Sequence, residues 1–536
     1  MPNSYDQVPY LNRSHSHTHP DRLATLATLL GLEPPCLDHC RVLELGCANG
    51  RNLLPMAVSL PGAHFVGVDL SARQIADGQA MVADLGLTNL ELRHASITAV
   101  DASYGLFDYI VCHGVFSWVD TAVQEKILEI CRANLTDNGV AYVSYNIFPG
   151  WHDKLKVREM LVHQVRGITD PQARIRKSRE FLNLMSELVT PPGSEPSAYG
   201  ARLRSEAELV NGQDDDYIFH EYLEDVNAPL YFYEFAERAE RHGLQYLADA
   251  DRGLRTLASL PAPVHEAMRQ HADGIVAQEQ LLDYYTNHTF RSTLLVPAER
   301  HIDRTVTAPR LRRLFVRSPL QPVSAMPDIL GAGFETFGAA DIESTYATAH
   351  PVTKAAMLEL HAAYPRAVAF EDLIARACAR IYSQSGGDLA TSKVILTREA
   401  DVAGLNLLQG HTSDSSLIDL HAHAPALAPT ADPGQRPVAL GSARYEALRS
   451  RSVTNAYHRP VRLGTLSWYL LPFLDGTRDL SALVELVMAN QTLAVEKAGA
   501  ELVDPDVKRP LLRAEVSSSL TGLTRAALIL ANDAAQ

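Results

Sequence analysis

The sequence is short of basic residues, with 63 Asp and Glu against 48 Lys and Arg in 536 residues and a formal net charge of −15. Nucleic-acid binding depends on cations that neutralise phosphates, so this charge predicts no nucleic-acid partner. The chain also lacks any run of about 18 apolar residues, the length that a membrane-spanning helix needs. Its polar N-terminus is unlike a signal peptide. We therefore expect a cytoplasmic protein without a membrane-inserted segment.

Cysteine is scarce as well: six residues are spread along the chain without a disulfide framework, which suits a reducing compartment. Cys36 and Cys40 form the closest pair, but no second pair follows at zinc-site spacing. His15, His17 and His19 alternate along a polar segment, and this pattern predicts a solvated coil. The sequence therefore predicts no metal centre.

Residues 41–70, RVLELGCANGRNLLPMAVSLPGAHFVGVDL, predict a strand, a glycine loop, a helix and a second strand. The loop lacks the third glycine of the dinucleotide fingerprint and the Lys-Ser/Thr of a P-loop. Gly46 and Gly50 let the backbone approach a ligand closely. Asp69, at the end of the second strand, is placed to accept hydrogen bonds from two ribose hydroxyls. A ligand with a ribose but no pyrophosphate fits best, and another doubly wound nucleotide fold is the alternative.

These residues resemble the first two motifs of class I S-adenosylmethionine (SAM) methyltransferases. Glu44, Gly46 and Gly50 match the first motif, and Asp69 matches the second. The resemblance implies SAM as the cofactor, with Glu44 binding its amino group. Many relatives place an acid near the adenine amine where this chain has a serine, Ser96. The other residues that we expect at the cofactor site are Cys47, Ala48, Leu70, Ser96, Ile97, His113 and, from an N-terminal arm, Tyr10.

Two further segments, HGVFSW and YNIFPGW, follow the predicted fourth and fifth strands. Ligands lie at the carboxyl ends of strands in open α/β sheets, so both segments should border the reacting methyl group. They resemble a bacterial group of methyltransferases with a methyltransferase regulatory domain, which includes the protein-lysine methyltransferases of rickettsial outer-membrane proteins. The resemblance runs through most of the chain. It implies a protein substrate of the outer membrane or cell surface, methylation of lysine ε-amines, and a homodimer.

Aromatic side chains in these segments are the candidates for the acceptor channel, because aromatic faces attract ammonium groups. Their alternative role is packing in the core. The segment YIFHEY is a candidate for a second wall of the acceptor channel. Its polar side chains could assist deprotonation of the acceptor amine. The candidate catalytic residues are Phe116, Trp118, Tyr145, Trp151, His220 and Glu221.

The order of predicted elements indicates an α/β fold, a class I (Rossmann-like) sheet with a helical insertion and mostly helical, winged-helix-like C-terminal domains. Val157, Met160, Leu161 and Val165 of the insertion could pack on the core or on a second subunit. In the fourth domain, residues 405–408 and 417–420 predict a hairpin. The predicted domains are 1–151 (SAM-binding core), 152–215 (helical insertion), 216–300 (completion of the sheet), 301–430 (winged-helix-like) and 431–536 (helical).

The sequence predicts a methyltransferase, and two alternatives stay open. One is a methyltransferase for a small molecule or a peptide natural product. The other is a SAM-binding regulatory protein without turnover. The long extension beyond residue 300 favours a macromolecular substrate, and the intact residues Glu44, Gly46, Gly50 and Asp69 favour turnover.

Overall fold

The computed structural model describes residues 4–8, 13–191, 193–253, 260–340, 342–385, 393–413, 417–498 and 504–531. Its largest sheet has seven strands: Arg41–Leu45 (β1), His64–Asp69 (β2), Leu90–His94 (β3), Phe107–Cys112 (β4), Leu135–Asn146 (β5), Leu244–Asp249 (β6) and Phe290–Pro297 (β7). The strand order is β3-β2-β1-β4-β5-β7-β6. Strands β1 to β5 are parallel, and β7 is antiparallel to both β5 and β6. The predicted Rossmann-like fold class is confirmed.

Helices cover both faces of this sheet, as parallel strands require. Ser71 begins one of them by accepting a hydrogen bond from the backbone N–H of Gln74, and Gly243, with φ of +72°, follows the end of another. The helices of this unit are Pro20–Leu29, Leu53–Ser59, Ala72–Asp84, Thr121–Ala133, Phe232–Arg241, Ala262–His271 and Gly274–Thr286, and a short helix, Ser4–Gln7, precedes them.

Two elements have irregular features. Strand β5 begins at Leu135 and includes Asn138 and Gly139, which a register shift opposite β4 accommodates. Residues 262–286 form two helices, and Gly274, the first residue of the second one, has a left-handed backbone conformation with φ of +78°.

The helical insertion follows β5 and forms its own apolar core. Val157, Leu161 and Val165 are buried there against the neighbouring helices, and Met160 is partly buried. These side chains therefore pack against the insertion's own helices, an arrangement that differs from both predicted alternatives, the core of the sheet and a second subunit. The helices are Trp151–Gln164, Pro171–Val189, Ala198–Gly212 and Asp215–Tyr222.

The region after β7 contains two further cores. Its helices are Pro351–Ala363, Phe370–Ser385, Lys393–Thr412, Gly441–Ala447, Thr465–Leu470, Leu480–Ala489, Gln491–Ala498 and Pro505–Arg525. Its strands are Phe315–Arg317, Gln321–Pro322, Glu335–Ala339, Ile342–Thr348, Val368–Ala369, Asp419–His421, Val438–Ala439, Ser452–Thr454, Pro460–Arg462 and Ile529–Leu530.

The predicted hairpin across residues 405–420 is wrong. Residues 405–408 belong to the helix Lys393–Thr412, and only Asp419–His421 forms a strand. Gly410 is a packing glycine in that helix: a Cβ there would lie 2.6 Å from Cδ1 of Ile418.

Among the residues that the structure describes, no helix combines the length and the apolar character needed to cross a membrane.

Candidate active site

The loop after β1 is shaped by two glycines with left-handed backbone angles. Gly46 has φ of +75°, and a Cβ there would lie 2.4 Å from Cγ2 of Val115. Gly50 has φ of +74°, and a Cβ there would lie 3.0 Å from both terminal carbons of Leu92. Glycine adopts such angles without strain and leaves this space free, so the loop can fold back tightly over the end of β1.

A cavity of about 540 Å³ opens at the carboxyl ends of the parallel strands. One set of lining residues follows strands β1 to β4 and was predicted for the cofactor: Glu44, Gly46, Ala48, Asp69, Leu70, Ser96, Ile97 and His113. A second set comes from the end of β5 and its surroundings: Trp118, Asn146, Trp151, Lys154, Tyr217, His220 and Glu221.

Asp69 is fixed by the glycine loop and by the helix that follows it. Its Oδ2 accepts a hydrogen bond from the N–H of Ala48 at 2.8 Å, and its Oδ1 accepts one from the N–H of Ser71 at 2.8 Å. Burial raises the pKa of Asp69 although both hydrogen bonds oppose the shift. The carboxylate is therefore held in one orientation at the cavity wall.

Glu44 is a buried carboxylate with only one oxygen satisfied. Its Oε1 accepts a hydrogen bond from Nδ2 of Asn52 at 2.8 Å, whereas Oε2 is buried with no hydrogen-bond partner among the described residues. Burial raises the pKa of Glu44 to about 7. An unsatisfied buried carboxylate oxygen is costly unless a donor reaches it, and the amino group of SAM is a donor of the required charge.

Asn52 links Glu44 to distant parts of the chain. Its Oδ1 accepts hydrogen bonds from the N–H of His15 at 2.9 Å and from Nε2 of His458 at 3.0 Å. His458 follows the strand Ser452–Thr454 near the C-terminus. The C-terminal region therefore contacts the residue that positions Glu44.

His113 directly follows β4, and the ring of His15 packs on it with a centroid separation of 3.9 Å. Burial lowers the pKa of His15 to about 3 and the pKa of His113 well below its usual value. Both rings are therefore uncharged at neutral pH. The predicted solvated coil around His15 and His17 is wrong, because both rings pack against His113.

Two predicted cofactor residues do not line the cavity. The side chain of Cys47 is buried and points toward Gly67, where a Cβ would lie 2.7 Å from the Cys47 sulfur. Gly50 shapes the turn and does not contribute to the wall. Ser96 does line it, and its Oγ caps the following turn by accepting a hydrogen bond from the N–H of Thr98.

The second set of lining residues contains an ammonium group in aromatic and acidic surroundings. Nζ of Lys154 lies 2.9 Å from Oε1 of Glu221 and 5.2 Å from the ring centroid of Trp151. Trp118 meets Trp151 edge to face at 6.2 Å. This part of the cavity accommodates a cation through one carboxylate and aromatic faces.

Tyr145 and Phe116 lie in the core and not at the acceptor, so this part of the prediction is wrong. Tyr145 stacks on Phe235 at 4.1 Å, and its hydroxyl is 2.8 Å from Oγ1 of Thr293. Phe116 is fully buried beside them. Successive side chains of a strand point to opposite faces, so it is the next residue, Asn146, that lines the cavity.

The described part of the N-terminal arm, residues 4–8, lies across both ends of the site. Asp6 accepts a hydrogen bond from the hydroxyl of Ser71, and the carbonyl oxygen of Val8 is 2.7 Å from Nε2 of His220. Tyr10, predicted at the methionine end of SAM, lies outside the described residues.

The sequence did not point to Asn52, Asn146 or Lys154. Asn146 stands in the quoted segment YNIFPGW next to Tyr145, but alternation along a strand does not say which of two neighbouring side chains borders the cavity. Asn52 lies eight residues after Glu44 on the same loop-to-helix segment, but no local pattern links it to His458.

The sheet order, the glycine loop and the acids at the ends of β1 and β2 define a class I SAM-dependent methyltransferase. The tight turn at Gly46 and Gly50 leaves space for a ligand. The carboxylate oxygen of Glu44 that lacks a partner can accept a hydrogen bond from the amino group of SAM. Domain-family comparison agrees: a methyltransferase domain matches residues 37–190, a predicted methyltransferase regulatory domain matches 214–297, and a PKMT C-terminal winged helix domain matches 435–528. The chain belongs to the family of SAM-dependent methyltransferases that combine these three domains, and SAM is its cofactor.

Individual relatives support this assignment along the whole chain. The uncharacterized protein RP789 of Rickettsia prowazekii is 34% identical over 91% of this chain and 86% of its own length. The structure of PKMT2 from Rickettsia typhi is 28% identical, covers 98% of this chain and 100% of its own, and superposes with a TM-score of 0.83. PKMT2 in complex with AdoHcy gives a TM-score of 0.81 with the same coverage.

Proposed function

We propose that this chain is a protein-lysine N-methyltransferase that transfers methyl groups from SAM to lysine ε-amines. The observation that carries the proposal is the position of Lys154, whose ammonium lies between Glu221 and the face of Trp151 within the cavity. A substrate ammonium entering the cavity would meet the same carboxylate and aromatic faces. The likeness to a protein named PKMT2 points to the same substrate class.

Each part of the cavity has a separate task in this reaction. Bound SAM supplies an electrophilic methyl group on a sulfonium. Asp69 and Glu44 would hold its ribose and its amino group, and such positioning would supply much of the rate. SAM would give its methyl group to the lysine nitrogen and keep the electron pair of the broken carbon–sulfur bond on sulfur.

The acceptor lysine must lose a proton before it attacks, because its ordinary pKa is about 10.4. Aromatic walls formed by Trp118 and Trp151 exclude water and favour the uncharged amine. Glu221 is the acidic side chain of this part of the cavity and is the candidate to receive the proton. His220 is held by Val8 and by Glu224 at 2.7 Å each, so we assign it a positioning role.

The test of the lysine assignment uses methyl-labelled SAM and the protein fraction of source cells. One half of this fraction is acetylated on its lysines beforehand. We expect label in the untreated fraction and at least tenfold less in the acetylated one, with labelled enzyme separated from labelled acceptor by size. Equal label in both fractions would exclude lysine as the acceptor.

Glu221→Gln tests the acceptor side of the cavity, and Glu237→Gln, an exposed carboxylate on the helix Phe232–Arg241, is the matched control. We expect Glu221→Gln to lower kcat/KM for the protein acceptor about tenfold or more without changing the Kd for SAM. Glu237→Gln should change neither value. Unchanged methyl transfer by Glu221→Gln would remove Glu221 from the proposal.

We further propose a homodimer formed through the helical insertion. Large apolar side chains are exposed on its helices, with Leu184 at 50% and Leu188 at 64% exposure, joined by Tyr199 at 48%. The charge-introducing variant Leu188→Glu should shift the mass measured by light scattering from dimer to monomer. A wild-type monomer at micromolar concentration would contradict this proposal.

A cytoplasmic location is proposed on the state of the cysteines. All six are free thiols, and five of them are buried in the structure. Disulfides form in oxidising compartments, and a reducing one preserves free thiols. The substrate we propose is a protein destined for the outer membrane or cell surface, methylated before export. Fractionation of source cells should recover the chain with cytoplasmic markers; recovery with membranes would contradict the assignment.

A further inference from the structure

Three histidines from separate segments meet beside the cofactor cavity. His15 and His17 belong to the N-terminal segment, and His113 follows β4. The ring centroids of His17 and His113 are 5.3 Å apart, and those of His15 and His17 are 5.7 Å apart. One ring nitrogen from each residue lies within 4.8 Å of the other two. The methyl-transfer reaction described above gives no task to His15 or His17.

The hydrogen bonds of His113 are those expected of a histidine that binds a metal ion. Its Nδ1 lies 2.9 Å from the hydroxyl of Tyr142, which itself donates to Oγ of Ser292 at 3.0 Å. Oγ of Ser144 also lies 3.2 Å from Nδ1. In the tautomer that carries its hydrogen on Nδ1 and donates it to the Tyr142 oxygen, Nε2 of His113 keeps its lone pair. Histidines that bind metals usually donate their second nitrogen in this way, which fixes both tautomer and ring orientation.

His17 adds an independent observation. Its Nε2 is buried and has no hydrogen-bond partner among the residues that the structure describes. Burial lowers the pKa of His17; the negative charges of Asp251 and Asp249 oppose this shift, and the positive charge of Arg22 adds to it. A buried imidazole nitrogen without a partner, near two carboxylates, is a favourable place for a cation.

We propose that His15, His17 and His113 form a three-histidine site for a divalent transition metal ion, with Zn²⁺ as the ion that best suits this ligand set. Zinc–nitrogen bonds of about 2.0–2.1 Å place tetrahedral ligand nitrogens about 3.4 Å apart. The ligand nitrogens of the three histidines lie within 4.8 Å of one another, so the His15 and His17 side chains must move closer together for an ion to bind.

His15 and His113 line both this site and the cofactor cavity, so a fourth ligand would reach the ion from the cavity. Water or a carboxylate from a bound molecule can occupy it, as in zinc sites with three protein ligands. The proposal does not depend on lysine being the methyl acceptor. It concerns the binding of a metal ion by the free enzyme.

The test uses the full-length protein stripped with a chelator and then titrated with Zn²⁺ in competition with a chromophoric chelator. Plasma mass spectrometry of the dialysed protein gives the metal content. We expect one equivalent per chain, weakened about 100-fold or more in His15→Ala and in His17→Ala, since loss of a ligand should cost at least as much as loss of its supporting partner. His163→Ala, an exposed histidine of the helix Trp151–Gln164, is the control and should bind like wild type.

Replacement with Co²⁺ gives a second readout, because a tetrahedral histidine site produces a strong visible absorption. Thermal unfolding of each variant confirms that it folds. No stoichiometric ion in the wild type would overturn the proposal. A stoichiometric ion that binds equally well in folded His15→Ala and His17→Ala proteins would also overturn it.

Discussion

Asn52 donates a hydrogen bond of 2.8 Å to Oε1 of Glu44, a residue that lines the cofactor cavity, and the second carboxylate oxygen of Glu44 is buried with no hydrogen-bond partner among the described residues. The same asparagine accepts a hydrogen bond from His458 at 3.0 Å. This relationship joins the first strand of the catalytic sheet to the C-terminal domain. It also places an acid with a raised pKa at the point where the amino group of SAM should bind.

The affinity for SAM should depend on pH through Glu44. Burial raises its pKa to about 7, so its contribution to the stability of the free protein is complete below its unfolded pKa near 4.3 and is lost as pH rises through about 7. An ammonium ligand needs the ionised form. We therefore expect SAM affinity, measured by calorimetry, to rise up to about tenfold per pH unit below pH 7 and to level off above it.

The variant Glu44→Gln supplies the control for this pH profile. It should bind SAM weakly at every pH, with a flat profile between pH 5.5 and 8.5. A flat wild-type profile, or a variant that retains the slope, would show that another group titrates.

Asp69→Ala should weaken SAM binding by about 100-fold or more. The carboxylate is positioned by Ala48 and Ser71, and hydrogen bonds to a charged acceptor contribute about 1.5–3 kcal/mol each. Two bonds to ribose hydroxyls therefore account for at least this loss. Asp137→Ala, an exposed aspartate within β5, is the matched control and should bind normally. Wild-type affinity in Asp69→Ala would remove Asp69 from the cofactor site.

Gly46→Ala should be far more damaging than Gly86→Ala, although both glycines have positive φ. At Gly86, with φ of +63°, a new Cβ meets nothing within 4 Å, so only the backbone strain of about 1–2 kcal/mol applies. At Gly46 the Cβ also lies 2.4 Å from Val115, and overpacking adds about 1–3 kcal/mol. Urea unfolding measures both costs, and equal losses would contradict the close approach at Gly46.

Tyr145→Phe and Asn146→Ala should separate stability from activity. Removing the Tyr145 hydroxyl breaks its contact with Thr293 and should cost about 1 kcal/mol of stability, with methyl transfer retained. Asn146→Ala removes a polar group from the cavity wall and should lower kcat/KM about tenfold, the equivalent of one hydrogen bond of about 1.4 kcal/mol. The reverse pattern would place Tyr145 at the acceptor after all.

Local motifs selected several residues that line the cavity, and their role toward the cofactor stays a prediction. Gly46 and Asp69 could be placed from the sequence because a tight turn and the end of a parallel strand restrict which residues can stand there. The Rossmann-like fold class followed from the alternation of predicted strands and helices. Sequence reasoning placed the wrong face of β5 at the acceptor because alternation alone does not say which face borders the cavity, and Tyr145 and Asn146 exchange roles as a result.

Contacts between distant segments could not be predicted. Asn52 and His458 are far apart in sequence, and their hydrogen bond depends on how the C-terminal domain packs against the first helix of the sheet. Lys154 lines the cavity because it lies in the first turn of the helix Trp151–Gln164, which begins at the edge of the cavity. Glycine is common in turns, but Gly410 lies in the helix Lys393–Thr412 and packs against Ile418, which follows this helix.

The central claim is most directly tested by following methyl label from SAM into a lysate of source cells, divided after reaction into macromolecules and small molecules. We predict protease-sensitive label in the macromolecular fraction, mapped by mass spectrometry to methylated lysine. Label confined to small molecules would contradict the proposed substrate, and bound SAM without transfer to either fraction would contradict the proposed activity.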